Sequence, residues 1–333
     1  MTHLLHPADE TGCGYFRVIN PAATLNHLAG GQFVKAFHYL PSEELVEREI
    51  TTVVTQRQLT KAQIREMRRY KKGGIFLIND LDDLLWNVPK SNSFSRTFTT
   101  ENRKSLLEGI GIADLNTAST VPLQEYLKRW AGVDSVIVPN TLLPQYYAPS
   151  PRIRTTDKLQ VMWAGSSTHG GDLKKLRRII EKTKDVAEFT LFGYCPTQLR
   201  PHVNFIEGVP FNEYHAALLA THFDLALAPL EMHPFNECKS NLKLLEFGAC
   251  GVPVVTSDIY PYKDNPATKI TYTNEVDQWI DAIIHYATDD SARLADAEKC
   301  LIYANSFSSV SVDHIEHLKH TWRLQDVRTE IQP

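Results

Sequence analysis

Short apolar runs rich in β-branched residues alternate with stretches of helical period along nearly all of the 333 residues. This alternation predicts an α/β protein with parallel sheets. In the first half, strands are expected at His3–His6, Gln32–His38, Thr51–Thr55, Gly74–Ile78, Leu115–Ala118 and Ser135–Val138. Helical patterns lie between them over Lys61–Lys72, Thr100–Gly109 and Pro122–Ala131. The stretch TLLPQYYAPSPRIRTTDK, starting at Thr141, has three prolines and no regular period, so it reads as an interdomain linker. A fresh series follows: strand Leu159–Ala164, helix Asp172–Thr183, strands Glu188–Gly193 and Val203–Ile206, and helix Asn212–Thr221. Strand Asp224–Ala228, helix Lys239–Ala249 and strand Pro253–Ser257 complete it, and helices follow Glu275. Two parallel sheets in succession imply a cleft, with ligands expected outside the carboxyl ends of the strands.

The loops at those ends carry the candidate chemistry. PFNECKSNLKLLEFGACGVPVVTSDIYPY, from Pro234, is a loop, a helix and a strand. Lys239 and Lys243 stand at the start of the helix and Glu246 within it, at spacings of four and three that share one face. Amides at a helix start together with lysines suit phosphate oxygens, and a carboxylate further along suits ribose hydroxyls. The combination points to a sugar nucleotide. Leu242, Leu245 and Ala249 are the apolar face expected against the sheet. In WAGSSTHGGDLKKL, Gly165 ends a strand, Ser166 offers a hydroxyl, His169 can meet phosphate or sugar, and Asp172 reads as a helix cap. In the first half, Gly12 and Gly14 permit a tight turn after the first strand, and Arg17 follows one turn later. FLINDLDDLLW sets Asp80, Asp82 and Asp83 after a strand, where carboxylates can orient an acceptor hydroxyl, hold a metal or cap a helix.

Charge and cysteines narrow the setting. The net charge is −4, and the halves differ: 16 basic and 15 acidic residues precede position 151, leaving 19 and 24 after it. An anionic partner therefore suits the first half, where Lys61, Arg65, Arg68, Arg69 and Lys72 form one helical stripe. That stripe can face solvent, a phosphate-bearing acceptor, an anionic membrane surface or nucleic acid. The five scattered cysteines form no CxxC pair, which fits reduced thiols in a cytoplasmic protein. The opening MTHLLHPADETG lacks a basic n-region and an apolar core, so no signal peptide is expected.

The ordered motifs GCGYFR, INDLDDLLW, ADLNTAST, VIVPN, WAGSSTHGGDL, DLALAPL and KSNLKLLEFGACGVPVVTSDIYPY, spanning Gly12 to Tyr262, resemble glycosyltransferases of the GT-B fold. The resemblance is nearest to the family-four (glycosyl transferases group 1) sugar-nucleotide-dependent enzymes. It implies two Rossmann-like domains, an acceptor domain over 1–145 and a nucleotide-sugar domain over 146–310. A terminal helix over 311–333 would cross back to the first. It places Glu246 at the ribose, Lys239 and Lys243 where donor phosphate or sugar contacts are expected, Gly165 and Ser166 near the diphosphate, and Gly12 and Gly14 facing that diphosphate. His169, Asn236 and Ser240 join the donor set, Arg17 the acceptor side, and Asp82 and Asp83 the transferred sugar as catalytic candidates. It further implies a nucleoside-diphosphate sugar as co-substrate, no tightly bound cofactor, no metal and retention of configuration. The acceptor would be a glycan or lipid-linked sugar. The family's second glutamate, eight positions before Glu246, is replaced by Cys238, with Glu237 one residue early. Other readings of the architecture are transfer to a modified base in DNA, a sugar-nucleotide epimerase, and a non-catalytic nucleotide-sugar-binding protein.

Overall fold

The computed structural model describes residues 2–263, 265, 267–271 and 275–324. Among the described residues, twelve strands form two six-stranded sheets, ordered β2-β1-β3-β4-β5-β6 and β12-β11-β10-β7-β8-β9. Every pairing is parallel. The first sheet contains β1 (Thr2–His6), β2 (Gln32–Lys35), β3 (Ile50–Gln56), β4 (Phe76–Leu81), β5 (Leu115–Ala118) and β6 (Val136–Ile137). The second contains β7 (Leu159–Gly165), β8 (Ala187–Gly193), β9 (Asn204–Glu207), β10 (Leu225–Ala228), β11 (Val254–Ser257) and β12 (Lys269–Thr271).

Neighbouring residues of a strand serve opposite faces, so both faces of each sheet are apolar. Leu4, Val53 and Leu77 pack under helix Lys61–Lys72, while Leu5, Val54 and Ile78 pack against the opposite layer. Helix Val312–Thr321 joins that opposite layer through Ile315 and Leu318, with Trp322 just after it. The predicted extent of this helix beyond residue 324 lies outside the described residues.

The strand order reverses beside β1 and β3 in the first sheet and beside β7 and β10 in the second. At such switch points the outgoing loops diverge and leave a crevice. The loops after β1, β3, β7 and β10 are those containing Gly12–Gly14, Arg57, Ser166–Asp172 and residues 229–241.

The lobes meet through shared apolar packing. Phe16, Leu142, Leu245, Ala249 and Ala304 form one buried cluster between them. Phe235 and Cys238, from the loop after β10, are buried among Leu81, Leu85, Ala118, Leu123 and Leu127 of the first lobe. The connecting segment is fixed to the second lobe by Ala148 N–H to Ala249 O (2.6 Å) and Arg152 N–H to Gly251 O (2.8 Å).

Several local expectations need correction. Helix Leu242–Ala249 is shorter than predicted, and Lys239 lies ahead of it, after a one-turn helix, Pro234–Glu237. Leu244 and Phe247, not Leu242, Leu245 and Ala249, face the second lobe's core; Leu245 and Ala249 face the lobe interface. Asp172 caps no helix, because helix Leu176–Thr183 starts after Lys175. Helix Ser42–Glu47 and strand β12 were not read from the pattern, both being too short to show a period.

Candidate functional site

Gly165 closes β7 with no room for a side chain. A Cβ there would lie 2.9 Å from the Lys243 Nζ and 2.9 Å from the Trp163 ring. Lys243 donates to Ala164 O at the strand's end and lies over the Trp163 indole, 5.1 Å from its centroid. Burial is the main cause that lowers its pKa to about 8, against the opposing pull of Glu246 and Asp172. Ser166 Oγ is 2.8 Å from Thr168 Oγ1 in the same loop.

His169 completes this end of the cleft. Its Nδ1 is 2.8 Å from Asp172 Oδ2. Burial, with Lys243 adding to it, lowers the imidazole pKa to about 4. Asp172 Oδ1 accepts Glu231 N–H at 2.7 Å and lies 3.4 Å from Asn236 Nδ2. Asn236 is itself buried and donates to Glu231 O at 2.8 Å, so it shapes the loop after β10. Glu231 in turn accepts from Ser91 Oγ of the first lobe (2.6 Å) and from Lys174 (3.1 Å).

Glu246, 8% exposed, sits one helical turn beyond Lys243. His215 Nε2 approaches its Oε1 to 3.2 Å. Tyr146 of the interlobe segment stacks on the His215 ring (centroids 4.0 Å, planes 12° apart) and shares a 2.8 Å hydroxyl contact with Tyr15 of the first lobe. Gly12 faces Phe211 across the cleft, its Cβ position 3.8 Å from the ring. Gly14 sits against the Asp9 backbone, where a Cβ would fall 1.8 Å from Asp9 O. Gly12 thus lets the first lobe's loop approach the second lobe, and Gly14 lets the loop close on itself.

The acidic residues after β4 are already engaged. Arg57, in the left-handed region at φ 50°, places its Nε 2.7 Å from Asp82 Oδ1 and one terminal nitrogen 2.6 Å from Asp82 Oδ2. The same nitrogen is 2.9 Å from Asp83 Oδ2, and Lys239 Nζ reaches Asp83 Oδ1 at 3.4 Å from the other lobe. Burial is the largest influence on the Asp82 carboxyl and would raise it, but the charge and hydrogen bonds of Arg57, with help from Cys13 and Arg17, together hold the pKa below the ordinary value. Cys13, Asp82 and Asp83 could supply ligand atoms within 4.8 Å of one another. A dication there would have to compete with the Arg57 guanidinium.

Arg17 is not positioned for an acceptor. It is buried, with its Nε 3.1 Å from Asp80 Oδ2 and a terminal nitrogen 2.7 Å from Asp80 Oδ1. Its remaining bonds go to Val138 O and to Asn140 Oδ1 (3.0 Å), and Thr117 Oγ1 donates to Asp80 at 2.6 Å. Asn140 then donates to Ser240 Oγ at 2.8 Å, so Ser240 is a link between lobes. The position where a second glutamate was expected is Cys238, fully buried in the first lobe; its carbonyl accepts from Thr120 Oγ1 at 2.8 Å.

The basic stripe is largely neutralised. Lys61 pairs with Glu101 (2.9 Å), Arg68 with Glu108, and Arg65 and Arg69 with Glu66 (3.5 and 2.7 Å). Lys72 is exposed at the end of the same helix. The acids Glu101 and Glu108 belong to the next helix, Thr100–Ile112, which single-helix periodicity does not reveal.

Arg57, His215 and Tyr146 were missed by sequence reasoning. The available signal for Arg57 was its place directly after a strand; His215 and Tyr146 acquire their roles only from tertiary contact.

No family model and no curated protein matches this sequence. Solved structures do. Sucrose-phosphate synthase from Thermosynechococcus elongatus is similar at a TM-score of 0.69 and 13% identity, over 97% of this chain and 98% of that one. HepE from Anabaena, solved in complex with UDP and glucose, is similar at 0.69 and 14%, over 98% and 99%. An alpha-glucosyltransferase in complex with UDP-glucose and DNA containing an abasic site is similar at 0.60 and 10%, over 96% and 98%. The shared property is the architecture: the chain has the GT-B fold, two Rossmann-like lobes with parallel sheets facing across a cleft.

Proposed function

We propose that this chain is a glycosyltransferase that moves a sugar from a nucleoside-diphosphate sugar to an acceptor hydroxyl. The observation that carries this reading is the end of β7, at the second lobe's switch point, where Gly165 leaves space that Lys243 enters. Lys243 and Lys239 would stabilise charge developing on the departing diphosphate, in a site where fixed donors act strongly. Glu246, supported by His215, would accept bonds from the ribose hydroxyls. The UDP and UDP-glucose in the neighbouring structures favour a UDP-sugar.

Asp82 is better suited to orienting than to abstracting a proton, since Arg57 stabilises its charged form. Asp83, shared between Arg57 and Lys239, is the acidic side chain we assign to the acceptor hydroxyl. The acceptor is proposed to be a glycan or lipid-linked sugar, with retention of configuration, no metal and a cytoplasmic setting. Transfer to DNA is disfavoured, because acids on the adjoining helix pair with the basic stripe. Among the described residues, no helix is long and apolar enough to cross a membrane.

The test is release of nucleoside diphosphate from a panel of nucleotide sugars offered with pooled glycan acceptors. One donor class is expected to be consumed, with the sugar found on an acceptor, and Lys243→Ala should abolish the reaction. Interconversion of the donor sugar without transfer would instead identify an epimerase. Nucleotide-sugar binding without turnover of any donor would identify a binding protein.

A further inference from the structure

We propose that His169 accepts a hydrogen bond from a hydroxyl of the transferred sugar, with Asp172 as its positioning residue. The proposal rests on the donor-site reading above and assigns this side chain to the sugar, not to the diphosphate. A carboxylate offers only acceptors, so the 2.8 Å contact with Asp172 Oδ2 places the imidazole hydrogen on Nδ1. Nε2 is then a lone pair, and among the described residues it makes no hydrogen bond. The ring is nonetheless held in place, 17% exposed and edge-on to Trp163 at 6.2 Å.

Asp172 cannot swing away, because its other oxygen receives Glu231 N–H. This joins the loops after β7 and β10, the two arms of the second lobe's switch point. Lys243 lies over the same indole that His169 meets edge-on, and its charge acts on the imidazole. Burial and the nearby Lys243 oppose protonation, with the pKa lowered to about 4. At neutral pH Nε2 therefore presents a lone pair. Phosphate oxygens have no hydrogen to give it, whereas a sugar hydroxyl does. The second glutamate expected to read the sugar is Cys238, buried in the first lobe, so that position is closed to a ligand.

The test separates the diphosphate from the sugar. Affinities of wild type, His169→Phe, His169→Gln and Asp172→Asn are measured by calorimetry for UDP and UDP-glucose, and for GDP and GDP-mannose. Each variant's fold is checked by circular dichroism. For the pair that wild type binds, His169→Phe should leave the diphosphate affinity within twofold and weaken the nucleotide sugar about tenfold, the scale of one hydrogen bond. Asp172→Asn, which can donate to Nδ1 and leave hydrogen on Nε2, should weaken the nucleotide sugar in the same direction. His169→Gln, which restores an acceptor, should recover part of the loss. Equal weakening of diphosphate and nucleotide sugar would overturn the proposal by making His169 a phosphate contact; unchanged affinity for both would overturn it as well. Wild type binding neither these ligands nor any other nucleoside diphosphate or its sugar would instead remove the donor-site reading and this proposal with it.

Discussion

Lys243 combines a buried setting with a role that needs its charge. Its pKa near 8 means that the free protein loses this charge as pH rises through 8. Diphosphate binding favours the charged form, so affinity should be steady below pH 7 and fall above 8, by up to about tenfold per pH unit. Calorimetric titrations from pH 6.5 to 9.5 measure this, and Lys243→Arg, charged throughout, should flatten the curve. Arg17 makes the opposite case. With its guanidinium inside the first lobe on Asp80, Val138, Asn140, replacing it by Met leaves a carboxylate buried and unpaired. Arg17→Met should cost about 3–5 kcal/mol of stability, read by urea denaturation. Its sequence signal was misleading because Asp80, its partner, is 63 positions away. Lys243 and Glu246 were easier to read, since helical spacing alone sets them near one another, whereas Lys239 lies ahead of that helix.

At the scale of elements, short-range pattern did well where a strand or helix had a clean edge. Helix Lys61–Lys72 has the predicted limits, fixed by a capping box in which Thr60 Oγ1 accepts Gln63 N–H and the Gln63 side chain returns to the Thr60 amide. Strand β5 likewise spans Leu115–Ala118 as expected. Helix Leu242–Ala249 begins later than predicted because residues 234–241 cross to the first lobe, a tertiary demand that local pattern does not express. At the other end, Gly251 is required twice over: its φ is 73°, and a Cβ would meet Ser150 O of the interlobe segment at 2.6 Å. Gly251→Ala should therefore lower stability by about 2–4 kcal/mol, combining backbone strain and displacement of the segment. Thermal unfolding of the variant measures it, and a loss below 0.5 kcal/mol would show that the segment yields easily.

For the whole molecule, the loop after β10 belongs to both lobes. Phe235 and Cys238 pack in the first lobe's core, while Asn236 bonds to Glu231 of its own lobe and Lys239 reaches Asp83 across the cleft. Two sheets were legible from the strand and helix alternation, but this sharing was not, because a Phe and a Cys in a loop give no hint of which core receives them. Cys238→Glu, the substitution that supplies the glutamate expected by resemblance, should destabilise the protein by several kcal/mol by burying a carboxylate among leucines. It should not improve nucleotide-sugar binding. Parallel denaturation and binding experiments check both halves, and a stable variant with tighter sugar binding would show that the loop can turn toward the cleft.

The donor site is the centre of this account, and Glu246 connects its charge to the interlobe aromatic cluster. The most direct measurement is calorimetric titration of wild type and Glu246→Gln with UDP, followed by other nucleoside diphosphates if UDP is silent. One nucleotide should bind wild type, with a loss of about ten- to a hundredfold in the variant, the scale of a hydrogen bond to a charged group. Binding that is equally tight in both would contradict the ribose assignment, and no binding of any nucleoside diphosphate to wild type would contradict the transferase reading itself.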